Sequence, residues 1–359
     1  MSRNPLKIVV LGLSITSSWG NGHATTYRGL VRELAARGHK ILFLEREVPW
    51  YAANRDLPNP AYARACLYKS VDELKNKFTR AVRDADLVIV GSYVPDGIEI
   101  GRWVIETAWG VTAFYDIDTP VTLATLKKRK NTYVSAELIP LYHIYLSFTG
   151  GPVLDRIERE LGSPMARPLY CSVDPEQYFP QPEHERWQLG YMGTYSSDRQ
   201  SALQRLMIEP ARRWREARMV VAGPKYPRVI RWPRNIDRIE HLPPSRHRSF
   251  YNQQRFTLNL TRADMIRVGY SPSIRLFEAA ACARPIISDY WDGLEQFFKP
   301  GKEILVAKST DQILDYLVEI PESQVQSMGA LARARVLSAH TAAHRAAELE
   351  SYALEVLGE

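Results

Sequence analysis

Residues 273–288 read SIRLFEAAACARPIIS, and this stretch favours one fold class. Residues 274–282 are apolar or small apart from Arg275 and Glu278, which is typical of a helix that packs against a sheet. Residues 285–288 then predict a short buried strand. A helix that leads at once into such a strand is typical of a parallel α/β sheet.

The same alternation of short apolar runs and amphipathic segments extends along the chain in both directions. It predicts parallel βαβ units and a doubly wound α/β architecture. A cluster of prolines between 164 and 182 interrupts the periodicity and predicts a linker. We therefore predict two Rossmann-like domains, over 1–165 and 166–340, and a C-terminal helix over 341–359 that packs back on the first domain. The predicted strands are 7–13, 41–44, 87–90, 111–115 and 144–148, then 189–192, 219–222, 236–241, 256–260, 285–288 and 304–306, and the last predicted helices are 309–319 and 330–357.

Composition places the chain among folded proteins, because 45% of its 359 residues are hydrophobic and 24% are charged. No apolar run is long enough for a transmembrane helix. Cys66, Cys171 and Cys282 lie far apart, which indicates neither a disulfide framework nor a zinc site. The apolar run over 8–16 leads into a WGNGH loop rather than a cleavage site, so we interpret it as a first strand and expect a cytoplasmic protein.

The net charge of +7 is concentrated in one segment. Residues 199–275 contain 17 basic and 5 acidic residues, a local net charge of +12. Such a segment suits an anionic substrate, a nucleic acid or a membrane surface, although part of it is expected to be an ordinary solvated helix face. The KKRK run at 127–130 would support at most a peripheral membrane contact.

The helix over 274–282 has the features of an anion site. Ser273 and Ile274 would lie at its N-terminus, where free backbone N–H groups and the helix dipole favour a phosphate. Arg275 adds a full charge there, and Glu278 follows one turn later, where it would accept hydrogen bonds from ribose hydroxyls. The alternative is a surface ion pair between Arg275 and Glu278.

Glycine turns and basic residues follow other strands of the second domain. Gly193 and Thr194 come directly after one strand and lead to Arg199. Gly223 and Lys225 follow the next strand, and Arg262 follows a third. Tight turns there would bring backbone amides and cations to a phosphate group, although each glycine alone also fits an ordinary βα turn. Three basic residues after successive strands favour the anion site.

In the first domain, the strongest candidates are His23 and Asp116. His23 would start a helix whose dipole lowers the pKa of its imidazole and keeps it available as a base, although a capping or core histidine fits equally well. Asp116 ends a strand and is the candidate for activating or orienting an acceptor hydroxyl, whereas Asp118 would cap a turn. The DID sequence imitates a D-x-D metal motif, but we expect no metal site, because it lies between a strand and a proline-started helix.

Taken together, these segments resemble GT-B glycosyltransferases of the spore-maturation-protein (CgeB-like) group. The resemblance spans nearly the whole chain, and residues 273–288 are similar to the donor-site helix of nucleotide-sugar transferases with an E-x7-E motif. Glu278 matches the second glutamate of that motif, but Tyr270 stands where the first would be. The segments that carry the resemblance are GNGHATTYRGL (20–30), FYDIDTP (114–120), YLSFTGGP (145–152), LYCSVDPEQYFP (169–180), GYMGTYSSDRQ (190–200), VVAGPKYP (220–227), LNLTRADM (258–265) and SPSIRLFEAAACARPIISDYW (271–291).

The resemblance implies two Rossmann-like domains whose parallel sheets face each other across a cleft. It also implies that Gly22 and His23 belong to a loop that covers the reacting sugar, and that His241 and Leu242 hold the nucleotide base through backbone atoms. We therefore expect a glycosyltransferase that moves a sugar from a nucleotide-diphosphate donor, with UDP favoured, to an acceptor that is a glycan, protein, lipid or small molecule. No metal or other cofactor and no stable nucleic-acid partner are expected. The alternatives are a UDP-sugar epimerase, a polyanion-binding or DNA-modifying protein, and an inactive sugar-binding relative.

Overall fold

The computed structural model describes residues 5–20, 22–128 and 130–358, and it divides into two compact units. Unit 1 comprises the residues up to Ser172 together with those from Ala342 onward. Unit 2 is Val173–Thr341. Each unit contains one parallel β-sheet. None of the helices in the described ranges is both long and apolar enough to cross a membrane.

The sheet of unit 1 has seven parallel strands in the order β3-β2-β1-β4-β5-β6-β7. Its central strands are apolar along their whole length, as in β4, where all five residues are buried. Such strands form because helices cover both faces of a parallel sheet. The strands are β1 (Lys7–Gly12), β2 (Lys40–Arg46), β3 (Arg64–Tyr68), β4 (Leu87–Gly91), β5 (Val111–Asp116), β6 (Ile144–Ser147) and β7 (Ala166–Pro168).

Two helices of unit 1 have clear end signals. Ser70 Oγ caps α3 by accepting a hydrogen bond from the Glu73 amide at 3.1 Å, and the Glu73 side chain accepts one from the amide of Lys69, the residue before the cap, at 2.7 Å. Gly38, with φ +95°, follows the end of α1. The helices are α1 (His23–Ala36), α2 (Pro49–Ala52), α3 (Val71–Arg83), α4 (Gly97–Thr107), α5 (Thr119–Lys127) and α6 (Pro152–Leu161), with α14 (Ala342–Leu357) added from the C-terminal end.

The first boundary lies between 172 and 173 rather than between 165 and 166, because β7 pairs with β6 and so belongs to the first sheet. The helix predicted over 330–357 is wrong as a single element. The chain leaves the helical path at His340, whose main-chain oxygen accepts a hydrogen bond from Val173 N at 3.1 Å. The helix after this break, α14, packs on α1, and Arg37 forms an ion pair there with Glu350.

The sheet of unit 2 has six parallel strands in the order β10-β9-β8-β11-β12-β13. Its core contains apolar side chains from these strands and from the covering helices, including Leu189, Val221, Leu258 and Ile287. The predicted strand over 236–241 is two residues too long, because β10 ends at Ile239. The strands are β8 (Trp187–Met192), β9 (Met219–Ala222), β10 (Ile236–Ile239), β11 (Gln254–Asn259), β12 (Ile286–Ser288) and β13 (Leu305–Val306).

The helices of unit 2 include a π turn, Gln204–Ile208, between two short α-helical segments. Pro210 lies just beyond it and has no N–H to donate, which explains why the regular hydrogen-bond ladder shifts before it. The α-helices are α7 (Gln200–Leu203), α8 (Glu209–Arg213), α9 (His247–Asn252), α10 (Ala263–Val268), α11 (Ile274–Ala281), α12 (Thr310–Glu319) and α13 (Glu322–Ala339).

Both sheets have a topological switch point, where successive strands begin to be added on the opposite side. It lies between β1 and β4 in unit 1 and between β8 and β11 in unit 2. Ligands of open α/β sheets bind outside the carboxyl ends of the strands at such points. We therefore expect ligands to bind at the loops that follow β1, β4, β8 and β11.

Gly223 allows the turns after β8 and β9 to approach each other closely. Its φ is +135°, and a Cβ at this position would lie 2.1 Å from the main-chain oxygen of Gly193. Because backbone atoms cannot move aside as a side chain can, only glycine fits here.

We expect Gly223→Ala to lower the free energy of unfolding by about 3 kcal/mol or more, since it combines a forbidden φ with a backbone clash. Gly301→Ala is the matched control, because Gly301 also has a positive φ, +77°, but no atom within 4 Å of the added Cβ. The control should lose only about 1–2 kcal/mol. Urea unfolding of both variants measures the difference, and equal losses would contradict the close approach.

Candidate active site

Arg275 connects the ends of the two strands that flank the switch point of unit 2. Its side chain extends from the first turn of α11, where Nε donates a hydrogen bond to the main-chain oxygen of Met192. Nη1 donates to Oδ1 of Asn259, at the end of β11, over 2.7 Å. The guanidinium carbon also lies 4.9 Å from the ring centroid of Tyr191. Arg275 thus holds a fixed positive charge between the ends of β8 and β11.

This positive charge is paired with no anion in the part of unit 2 that the structure describes. Arg275 is only 7% exposed, and the acceptors of its hydrogen bonds are neutral oxygens. Asp289 lies nearby, where burial raises the pKa of its carboxyl and the charge of Arg275 acts in the opposite direction, but the two groups form no ion pair within 4 Å, and the carboxyl accepts two hydrogen bonds from Thr261. A buried cation that forms no direct ion pair favours an anionic ligand at this position.

The N-terminus of α11 adds to this positive region. Ser273 is the capping residue and Ile274 is the first helical residue, as the sequence predicts. The Ser273 side chain makes no capping hydrogen bond to the helix and instead accepts one from Arg275 at 3.2 Å. The first N–H groups of a helix have no partners within the helix, so they are suited to bind the same anion as Arg275.

Glu278 lies one turn further along α11 and is 3% exposed. It accepts a hydrogen bond from the Tyr251 hydroxyl of α9 at 2.7 Å, and it interacts electrostatically with the Tyr178 hydroxyl. The alternative of a surface ion pair with Arg275 is wrong, because both side chains are buried and each has other partners. Glu278 therefore joins α9 to α11.

The glycine turns after β8 and β9 are organised by contacts within unit 2. The Gly193 amide donates to the main-chain oxygen of Ala222 at 2.8 Å, so this N–H serves the fold and is not free for a phosphate. Thr194 is exposed, and its main-chain oxygen accepts a hydrogen bond from Arg199 Nη2 at 2.6 Å. Lys225, after Gly223, has φ +69° and an exposed side chain.

Arg199 and Arg262 lie on either side of Asp198. Arg262 Nε is 3.7 Å from an Asp198 carboxylate oxygen, which also accepts a hydrogen bond from the Ala263 amide at 2.9 Å. Arg199 keeps its Nε buried, and this atom donates no hydrogen bond to any described residue. The structure thus brings two basic residues from different strand ends to one carboxylate, and Arg199 retains a donor for a ligand.

His241 and Leu242 lie in the loop after β10, and His241 is exposed. The main-chain oxygen of Leu242 is 3.2 Å from Nε2 of His247, whose Nδ1 is 3.2 Å from the Tyr178 hydroxyl. Tyr178 also interacts electrostatically with Glu278. The loop proposed for base binding is therefore linked through His247 and Tyr178 to α11.

In unit 1, His23 is the first residue of α1, and Gly22 is the capping residue before it. Asn21 of the same loop lies outside the described residues. Burial lowers the pKa of the His23 imidazole to about 4, so the ring is neutral at pH 7. Its Nδ1 is buried and accepts or donates no hydrogen bond within the described ranges. This arrangement leaves one polar atom of the ring for a ligand.

Asp116 does not present its carboxylate to a ligand, which corrects the prediction that it would face an acceptor. The residue is 0% exposed. One carboxylate oxygen accepts hydrogen bonds from Thr122 Oγ1 at 2.7 Å and the Asp118 amide at 3.2 Å, and the other accepts one from the Tyr145 hydroxyl. Burial nevertheless raises the pKa of Asp116 to about 6. Asp116 therefore acts on its neighbours rather than on a bound molecule.

Tyr93 is a site residue that the sequence does not reveal. It follows β4 with φ +64°, a left-handed conformation that is unfavourable for a bulky residue. In this conformation its hydroxyl donates to Asp118 at 2.9 Å, and its ring meets the His23 ring edge-on at 5.4 Å between centroids. Tyr93 thus joins residues that follow β1, β4 and β5, and the PDG turn signature at 95–97 marks its loop but not its own left-handed conformation.

Asp116 and Asp118 are unlike a D-x-D metal site, because Asp118 binds Tyr93 and Asp116 is enclosed. Within the described residues, no group of three or more His, Cys, Asp and Glu side chains is placed to hold a metal ion.

Comparisons with known proteins agree with this geometry. Residues 199–351 match the family model for glycosyl transferase-like proteins. The chain is similar to sucrose-phosphate synthase from Thermosynechococcus elongatus, with a TM-score of 0.71 and 11% identity over 99% of this chain and 100% of that chain. It is also similar to Anabaena HepE in complex with UDP and glucose, with a TM-score of 0.72 and 10% identity over 96% of this chain and 98% of that chain. The chain has the GT-B fold.

A third similar structure is an α-glucosyltransferase in complex with UDP and a 13-mer DNA, with a TM-score of 0.72 and 11% identity over 98% of this chain and 100% of that chain. No curated protein sequence matches this chain. The family match contains the Arg275 region, whereas His23 and Asp116 precede it. The predicted α/β class with two Rossmann-like domains is confirmed.

The buried carboxyl of Asp116 predicts a pH dependence of stability. Its pKa of about 6 in the folded protein exceeds the usual 3.8, so between these values the folded state binds more protons than the unfolded state. Stability from this group is therefore lost as pH rises. We expect the unfolding free energy of the wild type, relative to that of Asp116→Asn, to fall by about 2–3 kcal/mol between pH 4 and pH 7.

Urea unfolding of both proteins across this range measures the effect. The asparagine amide oxygen still accepts one of the hydrogen bonds from Thr122 or Tyr145, so the variant should fold. A relative stability that rises with pH would show that the Asp116 carboxyl is stabilised in its charged form.

Proposed function

We propose that this enzyme transfers a sugar from a UDP-sugar donor, bound by unit 2, to an acceptor hydroxyl. The observation that carries the proposal is Arg275, a buried cation without a paired anion at the switch point between β8 and β11. A nucleoside diphosphate is an anion that binds at such points of open sheets. Anabaena HepE in complex with UDP and glucose supports UDP as the nucleotide.

Donor binding is proposed to use cations and helix N–H groups rather than a metal. Arg275 and the first amides of α11, at Ser273 and Ile274, would hold the diphosphate, with the free Nε of Arg199 as a further donor. The residues that complete the proposed site are Gly193, Thr194, Gly223, Lys225 and Arg262 around the phosphates and His241 and Leu242 at the base. Gly193 and Gly223 contribute by shape, because Gly223 lets the two turns meet.

Glu278 is proposed to support the donor site through its two tyrosines. The hydrogen bond from Tyr251 holds α9 against α11, and Tyr178, before β8, interacts electrostatically with the same carboxylate. Contact of this oxygen with the ribose hydroxyls would require the Tyr251 bond to be exchanged for a ligand bond. The absence of a glutamate at Tyr270 leaves Glu278 as the acidic residue of the motif.

On the acceptor side, we propose His23 as the catalytic residue and Asp116 as a positioning residue, with Gly22 at the start of the same helix. The acceptor oxygen would attack the anomeric carbon, the bond from that carbon to the diphosphate oxygen would break, and the hydroxyl proton would leave to a base. The imidazole of His23 is neutral, and its buried Nδ1, which has no partner among the described residues, would take that proton once the ring turns toward the acceptor. Asp116 fixes the side chains of Tyr145 and Thr122 through hydrogen bonds. It also accepts a hydrogen bond from the Asp118 amide, and the Asp118 side chain in turn binds Tyr93.

The finer assignments belong to the same proposal. We infer membership of the CgeB-like group from the motifs at 20–30 and 271–291. A cytoplasmic location is proposed because Cys66, Cys171 and Cys282 lie far apart in the sequence, which does not suggest the disulfide framework of a secreted protein. A UDP-sugar epimerase on the same fold would need no acceptor, so product analysis without acceptor separates the two activities.

UDP should stabilise the protein against heat more than GDP, ADP or TDP do, and EDTA should change its affinity by less than about threefold. We expect Arg275→Gln to weaken UDP binding by about 10- to 100-fold, since it removes charge-assisted hydrogen bonds to phosphate. Uridine binding should change far less. Isothermal titration calorimetry measures both affinities.

Arg102→Gln is the matched control, because Arg102 is an exposed arginine of α4 in unit 1. Arg275→Lys retains the charge without the forked geometry and should lie between wild type and Arg275→Gln. An equal loss of UDP and uridine affinity in Arg275→Gln would mean that the residue shapes the fold and does not bind the phosphates.

His23→Ala should lower turnover by about 100-fold with UDP affinity nearly unchanged. Because the pKa of His23 is about 4, its imidazole is neutral from pH 8 to pH 5. The ratio of wild-type to variant turnover should therefore stay constant over this range, as measured by released UDP. A ratio that collapses near pH 6 to 7 would show that the histidine titrates in its ordinary range.

A further inference from the structure

Unit 2 has a surface pocket of about 330 Å³ that involves none of the residues proposed for the donor site. We call it the crossover pocket, because one side is formed by the connection between β9 and β10, residues 223–235. The opposite side is formed by the helical segment that begins at Gln200. The pocket is lined by polar and apolar side chains, among them Tyr195, Gln200, Gln204, Arg212, Ile230 and Arg231.

The aromatic wall of the crossover pocket is held in place by a chain of contacts. The Tyr195 ring meets the Tyr226 ring edge-on at 5.5 Å. Tyr226 in turn donates through its hydroxyl to the main-chain oxygen of Gly193 at 3.0 Å. Arg238 lies with its guanidinium 4.3 Å from the Tyr226 ring centroid and 4.5 Å from that of Trp232. Because these contacts already hold the Tyr195 ring in place, a ligand that packs on it loses little side-chain entropy on binding.

Two glutamines supply hydrogen-bonding groups beside this ring. Gln200 Oε1 is buried and accepts no hydrogen bond from the described residues. Leaving a buried acceptor unsatisfied is unfavourable, so a ligand hydroxyl would improve this position. Gln204 starts the π turn that Pro210 causes, and π turns are frequent at functional sites.

The charge of the crossover pocket is strongly positive. Residues 223–235 contain four basic residues and no acidic residue. All four side chains are exposed, and none forms an ion pair within the described ranges; they are Lys225, Arg228, Arg231 and Arg234. Arg212 is partly neutralised by Glu209 at 3.2 Å, and its other nitrogen donates to the main-chain oxygen of Arg231 at 3.3 Å. Arg231 is therefore the free cation of the pocket lining.

We propose that the crossover pocket binds a saccharide that carries a carboxylate, sulfate or phosphate group. An aromatic face, amide groups and a free guanidinium suit the C–H face of a sugar ring, its hydroxyls and its anionic substituent, respectively. The volume fits the lower range of small-ligand pockets. The source of the sugar is either a free acidic monosaccharide or one unit of an acidic polysaccharide.

A nucleic acid or a membrane fits these observations less well. Sequence-independent binding of single strands uses several aromatic faces on which successive bases stack, but Tyr195 offers one face and the neighbouring Tyr226 and Trp232 are occupied by Arg238. Membrane attachment through a loop needs apolar side chains to insert, and residues 223–235 expose one large apolar side chain, Val229. The crossover pocket instead combines concavity with groups for a sugar.

Saturation-transfer NMR on the full chain with UDP present tests the proposal. The probes are glucuronate, glucose 6-phosphate, glucose and an oligogalacturonate. If the ligand is a free acidic sugar, glucuronate or glucose 6-phosphate should give a saturation-transfer signal and glucose should give little. If the ligand is part of a polymer, only the oligogalacturonate should give a signal. Arg231→Gln should weaken the binding of the anionic probe about tenfold, with Arg102→Gln as the control of equal charge change.

Arg231 is exposed and unpaired, so Arg231→Gln should fold and bind UDP as the wild type does. Equal binding of glucose and glucuronate, or binding unaffected by Arg231→Gln, would overturn the proposal. The proposal would also be overturned if duplex DNA or phosphatidylserine vesicles bound in a way that depends on Arg231 and no acidic saccharide bound. If the wild type did not bind UDP, the proposed transferase function would be contradicted, but the measurement of saccharide binding would still decide the proposal for the crossover pocket.

Discussion

The interaction on which the donor half depends is the pair of hydrogen bonds from Arg275 to the ends of β8 and β11. Parallel strands on the two sides of a switch point leave a gap at their carboxyl ends, where helix connections diverge. Arg275 spans that gap with a charged, planar group. Since its acceptors are a main-chain oxygen and the Asn259 amide oxygen, the contacts fix its position without neutralising it. Structural rigidity and ligand attraction are thus supplied by one side chain.

In unit 1 the buried ionisable residue at a strand end is acidic, and it lies on β5, away from the switch point. Asp116 ends β5 in a fully buried position and collects hydrogen bonds from Tyr145, Thr122 and the Asp118 amide. These donors partly offset the cost of burial, which still raises its pKa to about 6. The polar atoms available to a ligand are therefore displaced from Asp116 to the surrounding shell, where His23 keeps an unpartnered Nδ1.

The sequence predicts the fold well because parallel strands and their helices leave strong apolar patterns, and the strand of β9 is predicted at its true bounds. It predicts Ser273 and Ile274 at the start of α11 for the same reason. The predicted C-terminal helix over 341–359 starts next to the break at His340, but the helical pattern over 330–357 does not show that break, since the alanine-rich run is helical on both sides and the break depends on a hydrogen bond from Val173. Nor can spacing show that Asp116 is enclosed, because its partner Tyr145 lies 29 positions away.

Strained backbone marks the same loops independently of side-chain chemistry. Among the described residues, left-handed non-glycine conformations occur at Tyr93 after β4, at Lys225 after β9 and at Tyr270 before α11, in addition to Asp96 and Ala283. Glycine would relieve each of these at little steric cost, so a retained side chain indicates a use for it. Tyr93 uses its side chain to bind Asp118 and pack on His23, and Tyr270 packs its ring on Gly293, where a Cβ would lie 2.3 Å from it. Strain and unpartnered polar atoms therefore coincide at the carboxyl ends of both sheets, which is where open α/β sheets bind their ligands.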